Sequence, residues 1–186
     1  MRFSIANHWL NPAQREYSPN CDQRPAGATL DLIVIHNISL PPKQYGNDYV
    51  RQFFCNQLDY DLHPYFSHIK NLKVSAHLLI QRDGGVIQFV PFNERAWHAG
   101  ESNFQGRSAC NDFSIGIELE GSDDDPYTEQ QYSNVFAIID CLLQSYATLS
   151  ARAIVGHSDI APGRKTDPGP AFDWPRLRAR LSGHPG

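Results

Sequence analysis

Residues 31–37 of the chain are Asp31-Leu32-Ile33-Val34-Ile35-His36-Asn37. The aliphatic run from Leu32 to Ile35 has no polar face, which is typical of a strand buried on both sides within a sheet. The run ends in a histidine, so an imidazole stands where the strand leaves the core. This stretch therefore predicts an interior strand with one potentially functional side chain at its carboxyl end.

A second histidine follows a second apolar run, near the other end of the chain. Residues 151–155 are mostly apolar and predict a short buried strand. It leads into the segment Gly156-His157-Ser158-Asp159-Ile160-Ala161-Pro162-Gly163-Arg164-Lys165-Thr166-Asp167-Pro168-Gly169-Pro170. The prolines and glycines of this segment predict an irregular loop and no helix, because proline lacks a backbone donor and glycine is conformationally free. A loop this rich in ionisable groups favours function, and a solvated surface loop is the alternative.

The two histidines can meet if their strands are neighbours and run parallel. Open α/β sheets place their sites at the carboxyl ends of the strands, so His36 and His157 would share one edge. Asp167 lies ten residues after His157, which lets the loop fold back and offer a carboxylate. Two neutral imidazoles and a carboxylate suit zinc, with the fourth position left to water. Asp159 is an alternative oxygen ligand, because it is also near His157.

The first half of the chain predicts an arm, a helix and a hairpin. Residues 1–30 include many Pro, Asn, Gln and Arg residues and predict an irregular N-terminal arm. Asn47 is a candidate N-cap for a helix with apolar residues at helical spacing behind it. Residues 74–80 and 86–90 predict two strands, and the Asp83-Gly84 dipeptide between them predicts a hairpin turn.

Residues 113–121 predict a strand whose faces alternate with period two. Glu118 shares one face with Ser114, Gly116 and Glu120. The strand is either half exposed, with solvated glutamates, or it turns Glu118 towards the metal. In the second case Gly116 would leave room for substrate or backbone.

Two helices are predicted after this strand. Thr128 and Gln131 form a capping-box motif at the start of a long amphipathic helix, and Asp173 can cap a last short helix. A hairpin among helices favours a mixed sheet, so the predicted fold is mixed α/β, with a central mixed β-sheet flanked by helices. The length of 186 residues suits a single domain spanning residues 1–186, with the arm as part of it.

Composition excludes several classes of protein. A net charge of −4 argues against a nucleic-acid-binding surface, and no apolar run is long enough to span a membrane. The residues after Met1 lack the apolar region of a signal peptide, which predicts a cytoplasmic protein. The cysteines show no close spacing, so we expect them to be reduced and unpaired. They are Cys21, Cys55, Cys110 and Cys141.

Residues 91–112 form a long connection that contains Trp97 and His98. Long loops in compact domains are often binding loops, and an aromatic face is a good platform for a sugar ring. The alternative is that Trp97 covers the edge of the core. His77, on the predicted strand 74–80, is as readily a core histidine bonded to backbone as a catalytic one.

Several stretches together resemble the AmpD-type N-acetylmuramoyl-L-alanine amidases, a branch of a wider group that includes phage amidases and animal peptidoglycan-recognition proteins. They occur in the right order and extend over essentially the whole chain. The stretches are Val34-Ile35-His36-Asn37-Ile38-Ser39, Val74-Ser75-Ala76-His77, Arg95-Ala96-Trp97-His98-Ala99-Gly100, residues 111–121 and residues 156–169.

The resemblance implies a zinc ion held by His36, His157 and Asp167. It implies Glu118 as the catalytic acid/base and Lys165 as the cation that stabilises the developing oxyanion. The wider group often has a cysteine at the position of Asp167, and a tyrosine at the position of Ala76. Both departures match the AmpD branch, where the glutamate is thought to take over the role of the tyrosine.

The resemblance also implies a substrate class. The AmpD branch is cytoplasmic and cleaves the lactyl–L-alanine amide of 1,6-anhydro-N-acetylmuramyl peptides during cell-wall recycling, which lowers the signal for β-lactamase induction. We expect a monomer that binds soluble muropeptides and neither nucleic acid nor membrane. Alternatives are a muropeptide-binding module without catalysis and a different zinc peptidase. The predicted substrate contacts are Asn37, Lys73, Trp97, His98 and Arg107.

Overall fold

The computed structural model describes residues 2–183 of the chain. Within that part, six strands form one central sheet and the other strands form two-stranded pairs. In chain order the strands are β1 (Ser4–Ala6), β2 (Trp9–Asn11), β3 (Gln14–Arg15), β4 (Cys21–Gln23), β5 (Leu32–Ile38), β6 (Leu78–Ile80), β7 (Val86–Gln88), β8 (Glu94–Ala96), β9 (Asn103–Phe104), β10 (Arg107–Ser108), β11 (Ser114–Glu120) and β12 (Ile154–Gly156). The α-helices are α1 (Tyr49–Phe54), α2 (Glu129–Ser145), α3 (His157–Ile160) and α4 (Trp174–Leu181), and 3₁₀ helices span Pro64–His68 and Cys110–Asp112.

Three parallel strands form one half of the central sheet. The strand order is β12-β5-β11-β6-β7-β3, and β5 pairs in parallel with both β12 and β11. The residues from Leu32 to Ile35 on β5 are 0% exposed, which confirms the predicted interior strand. Fully burying one such side chain contributes about 1.5–3 kcal/mol, so this pairing is a main source of hydrophobic stabilisation.

The other half of the sheet contains the hairpin. Strand β6 runs parallel to β11, and β7 returns antiparallel to β6 through the Asp83-Gly84 turn, where Gly84 has a φ of 90°. The sheet is therefore mixed, as predicted. Strand β6 begins at Leu78, later than predicted, because the N–H of Ser75 donates to the carbonyl of Trp97 in a connecting segment.

The two faces of the central strands have different neighbours. On β5, Ile33 and Ile35 belong to the core that also contains the apolar side of α2 and Leu177 and Leu181 of α4. Leu32 and Val34 point the other way, into a smaller apolar cluster. Because side chains alternate along a strand, His36 continues the face of Leu32 and Val34. The functional side chain thus lies on the face opposite to α2.

The predicted helix starts after β11 are largely confirmed. The Thr128 side chain accepts from the N–H of Gln131 and the Gln131 side chain accepts from the N–H of Thr128, so the capping box is present at the start of α2. Asp173 accepts from the N–H of Arg176 and caps α4. The Gln131 amide also donates to two carbonyls at the sheet, which ties the start of α2 to β6 and β11.

The prediction of an irregular N-terminal arm is wrong. Residues 2–30 contain four short strands, of which β3 extends the central sheet beside β7 and β4 pairs with β8. Arg24 then inserts a half-buried guanidinium that donates to the carbonyls of Phe92, Asn111, Asp112 and Ser114. The segment is therefore built into the same structure as the central sheet.

Two predicted helix boundaries also need correction. The N-cap of α1 is Asp48 and not Asn47, whose Oδ1 instead accepts from the N–H of Tyr49. The segment after β12 does contain helix, since α3 makes one turn directly after Gly156. The turn ends before Pro162, whose missing N–H prevents continuation, so the rest of the segment is irregular as expected.

Two further properties concern membranes and thiols. No helix among residues 2–183 is long and apolar enough to cross a membrane. The four cysteines are unpaired, and all except Cys21 are buried. Burial raises the pKa of the Cys21 thiol to about 11, assisted by the nearby Glu94 carboxylate.

Candidate metal centre and active site

Three side chains converge beyond the carboxyl ends of β5 and β12. The Nδ1 atoms of His36 and His157 are 3.0 Å apart, and each lies close to Oδ2 of Asp167, at 3.0 Å and 3.1 Å respectively. The two imidazoles are almost fully buried, and the Asp167 side chain is 14% exposed. These are the residues of the described chain that could hold a metal ion together.

The fold positions each of the three residues by a different element. His36 stands near the end of β5, and His157 is the first residue of α3, directly after β12. The parallel register pairs Ile35 with Gly156, which brings the two histidines to the same height. Asp167 returns along the loop, and its carbonyl accepts from the N–H of Ser158. The predicted convergence of two strand-end histidines and a loop aspartate is present.

Asp159, the alternative oxygen ligand, is outside this group. Its side chain is exposed and its Oδ2 accepts from the N–H of Gly156 at 2.7 Å. It therefore stabilises the first turn of α3 and does not belong to the group that could hold a metal ion.

The outer nitrogens of both histidines have protein partners. Nε2 of His157 lies 3.0 Å from the carbonyl of Ala99, and Nε2 of His36 lies 2.9 Å from Nδ1 of His98. A carbonyl can only accept, so His157 carries a hydrogen on Nε2, and the neutral form of the ring then has its lone pair on Nδ1. Such outer contacts are usual for histidines that bind metal, because they fix the tautomer and the ring orientation.

Electrostatics favour the protonation states that a metal requires. Burial lowers the pKa of His36 to about 4, although the contact with Asp167 opposes this shift. Burial alone would raise the pKa of Asp167, but the adjacent imidazoles of His157 and His36 hold the pKa of this carboxyl well below its usual range. At neutral pH His36 is therefore neutral and Asp167 is ionised.

The donor set and its spacing fit zinc. Zinc in proteins is usually tetrahedral with bonds of about 2.0–2.2 Å to imidazole nitrogen and carboxylate oxygen, which places ligand atoms roughly 3.3 Å apart. The separations of 3.0–3.1 Å between the three atoms are close to that value. Three protein ligands also leave one position open, as in catalytic zinc sites.

Glu118 lies beside this group on β11. The register pairs it directly with His36, so both side chains extend from the same face of the sheet. It is 8% exposed, and within residues 2–183 its Oε2 is buried without a hydrogen-bond partner. Burial and the negative charge of Asp167 raise its pKa well above the ordinary value, while Lys165 opposes the shift. The strand is buried on both faces, so the half-exposed alternative is wrong.

The three candidate ligands and Glu118 line one cavity of about 620 Å³. Lys165 also lines it and is exposed at its margin. Tyr65, Ile69 and Leu72 contribute an apolar wall. The cavity thus combines a metal-binding group, a carboxyl with a raised pKa and a cation, which together can hydrolyse an amide.

The predicted substrate contacts are only partly brought together. Asn37 and His98 line the cavity, whereas Lys73 is exposed and is not among the lining residues, although its neighbours Leu72 and Val74 are. The indole N–H of Trp97 donates to Asp22 at 3.2 Å, which holds the ring against β4. Arg107 forms an ion pair with Asp31 at 2.7 Å and lies over the ring of Phe113. The predictions for Trp97 and Arg107 therefore do not fit this geometry, because their polar groups serve other parts of the fold.

Two other predictions change with the structure. His77 is a core histidine, since its Nδ1 accepts from the N–H of Gly116 and its Nε2 lies 3.1 Å from the carbonyl of Glu94. The space beside Gly116 is occupied by the His98 ring and is not open to substrate. A Cβ added at Gly116 would stand 2.4 Å from that ring.

Arg164 is a site residue that the sequence analysis missed. Its Nη2 donates to the carbonyls of Ala99 and Glu101, which joins the loop after α3 to the loop before β9. It also lines the cavity. Its position next to Lys165 was the available signal, but its carbonyl partners are more than sixty residues away in sequence.

The profile of the Amidase_2 family, N-acetylmuramoyl-L-alanine amidase, matches residues 26–170 of the chain. The chain belongs to this family of amidases. It is 54% identical over 178 residues to the 1,6-anhydro-N-acetylmuramyl-L-alanine amidase AmpD of Salmonella typhimurium (strain SL1344), and the alignment covers 95% of each protein. The family membership expected from the sequence motifs is thereby confirmed.

Solved amidase structures share the fold. The crystal structure of a Se-Met AmpD derivative superposes with a TM-score of 0.92 at 50% identity, over 96% of this chain and 99% of that chain. The amidase AmiD from E. coli, in complex with the substrate anhydro-N-acetylmuramic acid-L-Ala-D-gamma-Glu-L-Lys, superposes with a TM-score of 0.59 at 26% identity, over 96% and 65% of the two chains. The predicted mixed α/β amidase fold is confirmed, and the chain is an N-acetylmuramoyl-L-alanine amidase.

The raised pKa of Glu118 predicts that removing its charge stabilises the metal-free protein at high pH. An unfolded glutamate releases its proton near pH 4.5, whereas folded Glu118 holds it to higher pH, so the wild type loses stability as pH rises above that value. We expect metal-free Glu118→Gln to unfold at the same temperature as wild type at about pH 4 and at a higher temperature at about pH 8.

The control for this comparison is Glu101→Gln, which changes an exposed glutamate and should leave the unfolding temperature within error at both pH values. Scanning calorimetry gives the measurement. Identical curves for Glu118→Gln and wild type at the higher pH would contradict the raised pKa.

Proposed function

We propose that the chain is a zinc-dependent amidase that cleaves the amide between the lactyl group of 1,6-anhydro-N-acetylmuramic acid and L-alanine in muropeptides. The observation that carries this proposal is the cluster of His36, His157 and Asp167 in one cavity with Glu118, whose buried Oε2 has no hydrogen-bond partner in the described part of the chain. The reaction itself is the one for which the 54% identical relative is named. We further propose that residues 1–186 form one amidase domain.

The proposed roles follow from the chemistry of each side chain. His36, His157 and Asp167 would hold the zinc ion. When bound, such a metal acts as a Lewis acid towards the amide carbonyl and lowers the pKa of coordinated water. Glu118 would accept a proton from the attacking water and return it to the leaving amine of L-alanine, since a raised pKa suits both steps.

Lys165 would stabilise the negative charge on the former carbonyl oxygen. It is exposed at the margin of the cavity and close enough to Glu118 to oppose the shift in the pKa of that carboxyl. A fixed cation in a partly dehydrated site stabilises a developing oxyanion more than bulk water does.

The substrate contacts are revised from those that the sequence suggested. The apolar wall of Tyr65 and Leu72 is a better platform for the sugar than Trp97, whose indole is held by Asp22. Lys43 lines the cavity and offers a point charge for the carboxylates of the stem peptide, and the exposed Lys73, next to the lining residues Leu72 and Val74, offers a second.

We also propose that the protein acts as a monomer in the cytoplasm, in recycling of the cell wall and thereby in control of β-lactamase induction. Four unpaired thiols, three of them buried, are consistent with a reducing compartment.

Replacing Asp167 tests the metal site. Asp167→Ala should abolish zinc retention after dialysis, because zinc sites in proteins use at least three protein ligands and only the two imidazoles would remain. Asp159→Ala is the matched control from the same loop, and it should keep about one zinc per chain, since only a helix cap worth about 1 kcal/mol is lost. Atomic emission gives the zinc content of both samples. Zinc loss in the Asp159 variant with retention in the Asp167 variant would reverse the assignment.

Replacing Glu118 tests the acid/base role. Glu118→Gln keeps the shape of the side chain and loses its basicity, so turnover of the zinc-loaded enzyme should fall by about 10²-fold or more. Glu120→Gln is the control on the same face of β11, since Glu120 accepts from the N–H groups of Gly46 and Arg82 away from the cavity. Near-native turnover in zinc-loaded Glu118→Gln would remove Glu118 from the reaction.

A competition experiment tests the proposed substrate. With soluble anhydro-muropeptide and purified sacculi at matched bond concentration, we expect faster release of peptide from the soluble fragment. One reason is that the net charge of −4 gives no attraction to an anionic wall polymer. Chromatography of the released peptides gives both rates. Equal or faster release from sacculi would contradict the recycling role and leave the amidase chemistry intact.

A further inference from the structure

A buried series of hydrogen bonds runs from His36 through His98, at the wall of the cavity, to Ser114 in the protein interior. Nε2 of His36 lies 2.9 Å from Nδ1 of His98, and Nε2 of His98 lies 3.0 Å from Oγ of Ser114. The Ser114 hydroxyl in turn lies 2.6 Å from the carbonyl of Cys110. His36, His98, Ser114 and Cys110 are all less than one-tenth exposed.

We propose that His98 and Ser114 are positioning residues that hold His36 in the tautomer that can bind the metal. This proposal rests on His36 being a metal ligand, as proposed above. It also gives His98 a different role from the substrate contact expected from the sequence, because both of its ring nitrogens have protein partners.

The donor and acceptor of each hydrogen bond in this series follow from the number of hydrogens that each group carries. The carbonyl of Cys110 has none, so the single hydroxyl hydrogen of Ser114 must point to it across 2.6 Å. Oγ of Ser114 therefore accepts from Nε2–H of His98. In a neutral ring this leaves a lone pair on Nδ1 of His98, which accepts from Nε2–H of His36. The hydrogen of His36 is thus held on Nε2, and the lone pair of Nδ1 faces His157 and Asp167.

Hydrogen bonds to the Asn111 side chain hold the backbone around His98. Oδ1 of Asn111 accepts from the N–H groups of both His98 and Ala99, at 3.1 Å and 2.8 Å. Ala99 supplies the carbonyl that accepts from Nε2 of His157. One amide side chain therefore anchors the outer partners of both histidines. Gly116 provides the space for the His98 ring, which a Cβ there would overlap.

Metal affinity is the quantity that this arrangement controls. If the outer partner of His36 were lost, the ring would be free to place its hydrogen on Nδ1, and that tautomer has no lone pair for a metal. Replacement of such outer partners typically costs about 10- to 100-fold in metal affinity.

Two variants of similar shape separate this role from packing. In His98→Asn the side-chain oxygen stands near the place of Nδ1 and can still accept from His36, whereas His98→Leu has no acceptor. We expect His98→Leu to bind zinc about 10- to 100-fold more weakly than wild type, with His98→Asn recovering most of that loss. Competition with a chromogenic chelator gives the affinities, and circular dichroism of the metal-free samples checks the fold.

A second measurement reads the tautomer directly and needs no variant. In nitrogen-15 NMR spectra of the metal-free wild type, His36 and His98 should both carry hydrogen on Nε2. In Ser114→Ala the His98 ring loses its acceptor, so the Nε2–H form of His36 should no longer dominate.

The outcomes distinguish this inference from the proposed function. Wild-type protein without zinc affinity would contradict the metal site, and the inference with it. Zinc bound by wild type and equally by the Leu and Asn variants would overturn only the inference, as would a wild-type His36 that carries hydrogen on Nδ1.

Discussion

The parallel pairing of β12, β5 and β11 is the constraint on which the site depends. These strands end at one edge, so whatever follows them is brought together without any further element. His36 pairs in register with Glu118, and His157 follows the partner of Ile35 directly. The apolar residues that come before them fill the core on both faces of the sheet. The same pairing that stabilises the fold therefore sets the spacing of the chemical groups.

Polar groups at such an edge are buried, and each must be satisfied. The outer nitrogens of the two histidines find partners in His98 and in the carbonyl of Ala99. Glu118 is the exception at this edge of the sheet, because its Oε2 is buried without a hydrogen-bond partner among residues 2–183. An unpaired buried carboxyl costs free energy in the resting protein and favours the protonated form. That cost is consistent with the proposed role of Glu118, in which its partner is a reactant and not a neighbour in the fold.

The sequence was sufficient for features whose cause is local or repeated. The aliphatic run of β5, the Asp83-Gly84 turn and the Thr128 capping box each contain their own signal, and each is present in the structure. The meeting of His36 and His157 followed from one further step, the parallel arrangement of two apolar strands. The strand, the turn and the capping box depend on residues near each other in the chain or on a periodic pattern.

Features that depend on distant partners were not predictable in this way. The strands of the N-terminal segment are two or three residues long, and two of them, β3 and β4, form by pairing with the distant strands β7 and β8. Trp97 and Arg107 looked like binding residues until their partners Asp22 and Asp31, about 75 residues away, were seen. The role of His98 depends in the same way on Ser114 and on the absence of a side chain at Gly116.

We propose that one zinc ion at the His36, His157 and Asp167 site makes this chain an active amidase. The decisive measurement is a titration of zinc into metal-free protein, with amide cleavage of a defined anhydro-muropeptide followed in the same samples. We expect cleavage to rise in proportion to bound zinc and to reach its plateau at one zinc per chain. Full cleavage by metal-free protein, or a plateau that requires a second ion, would contradict it.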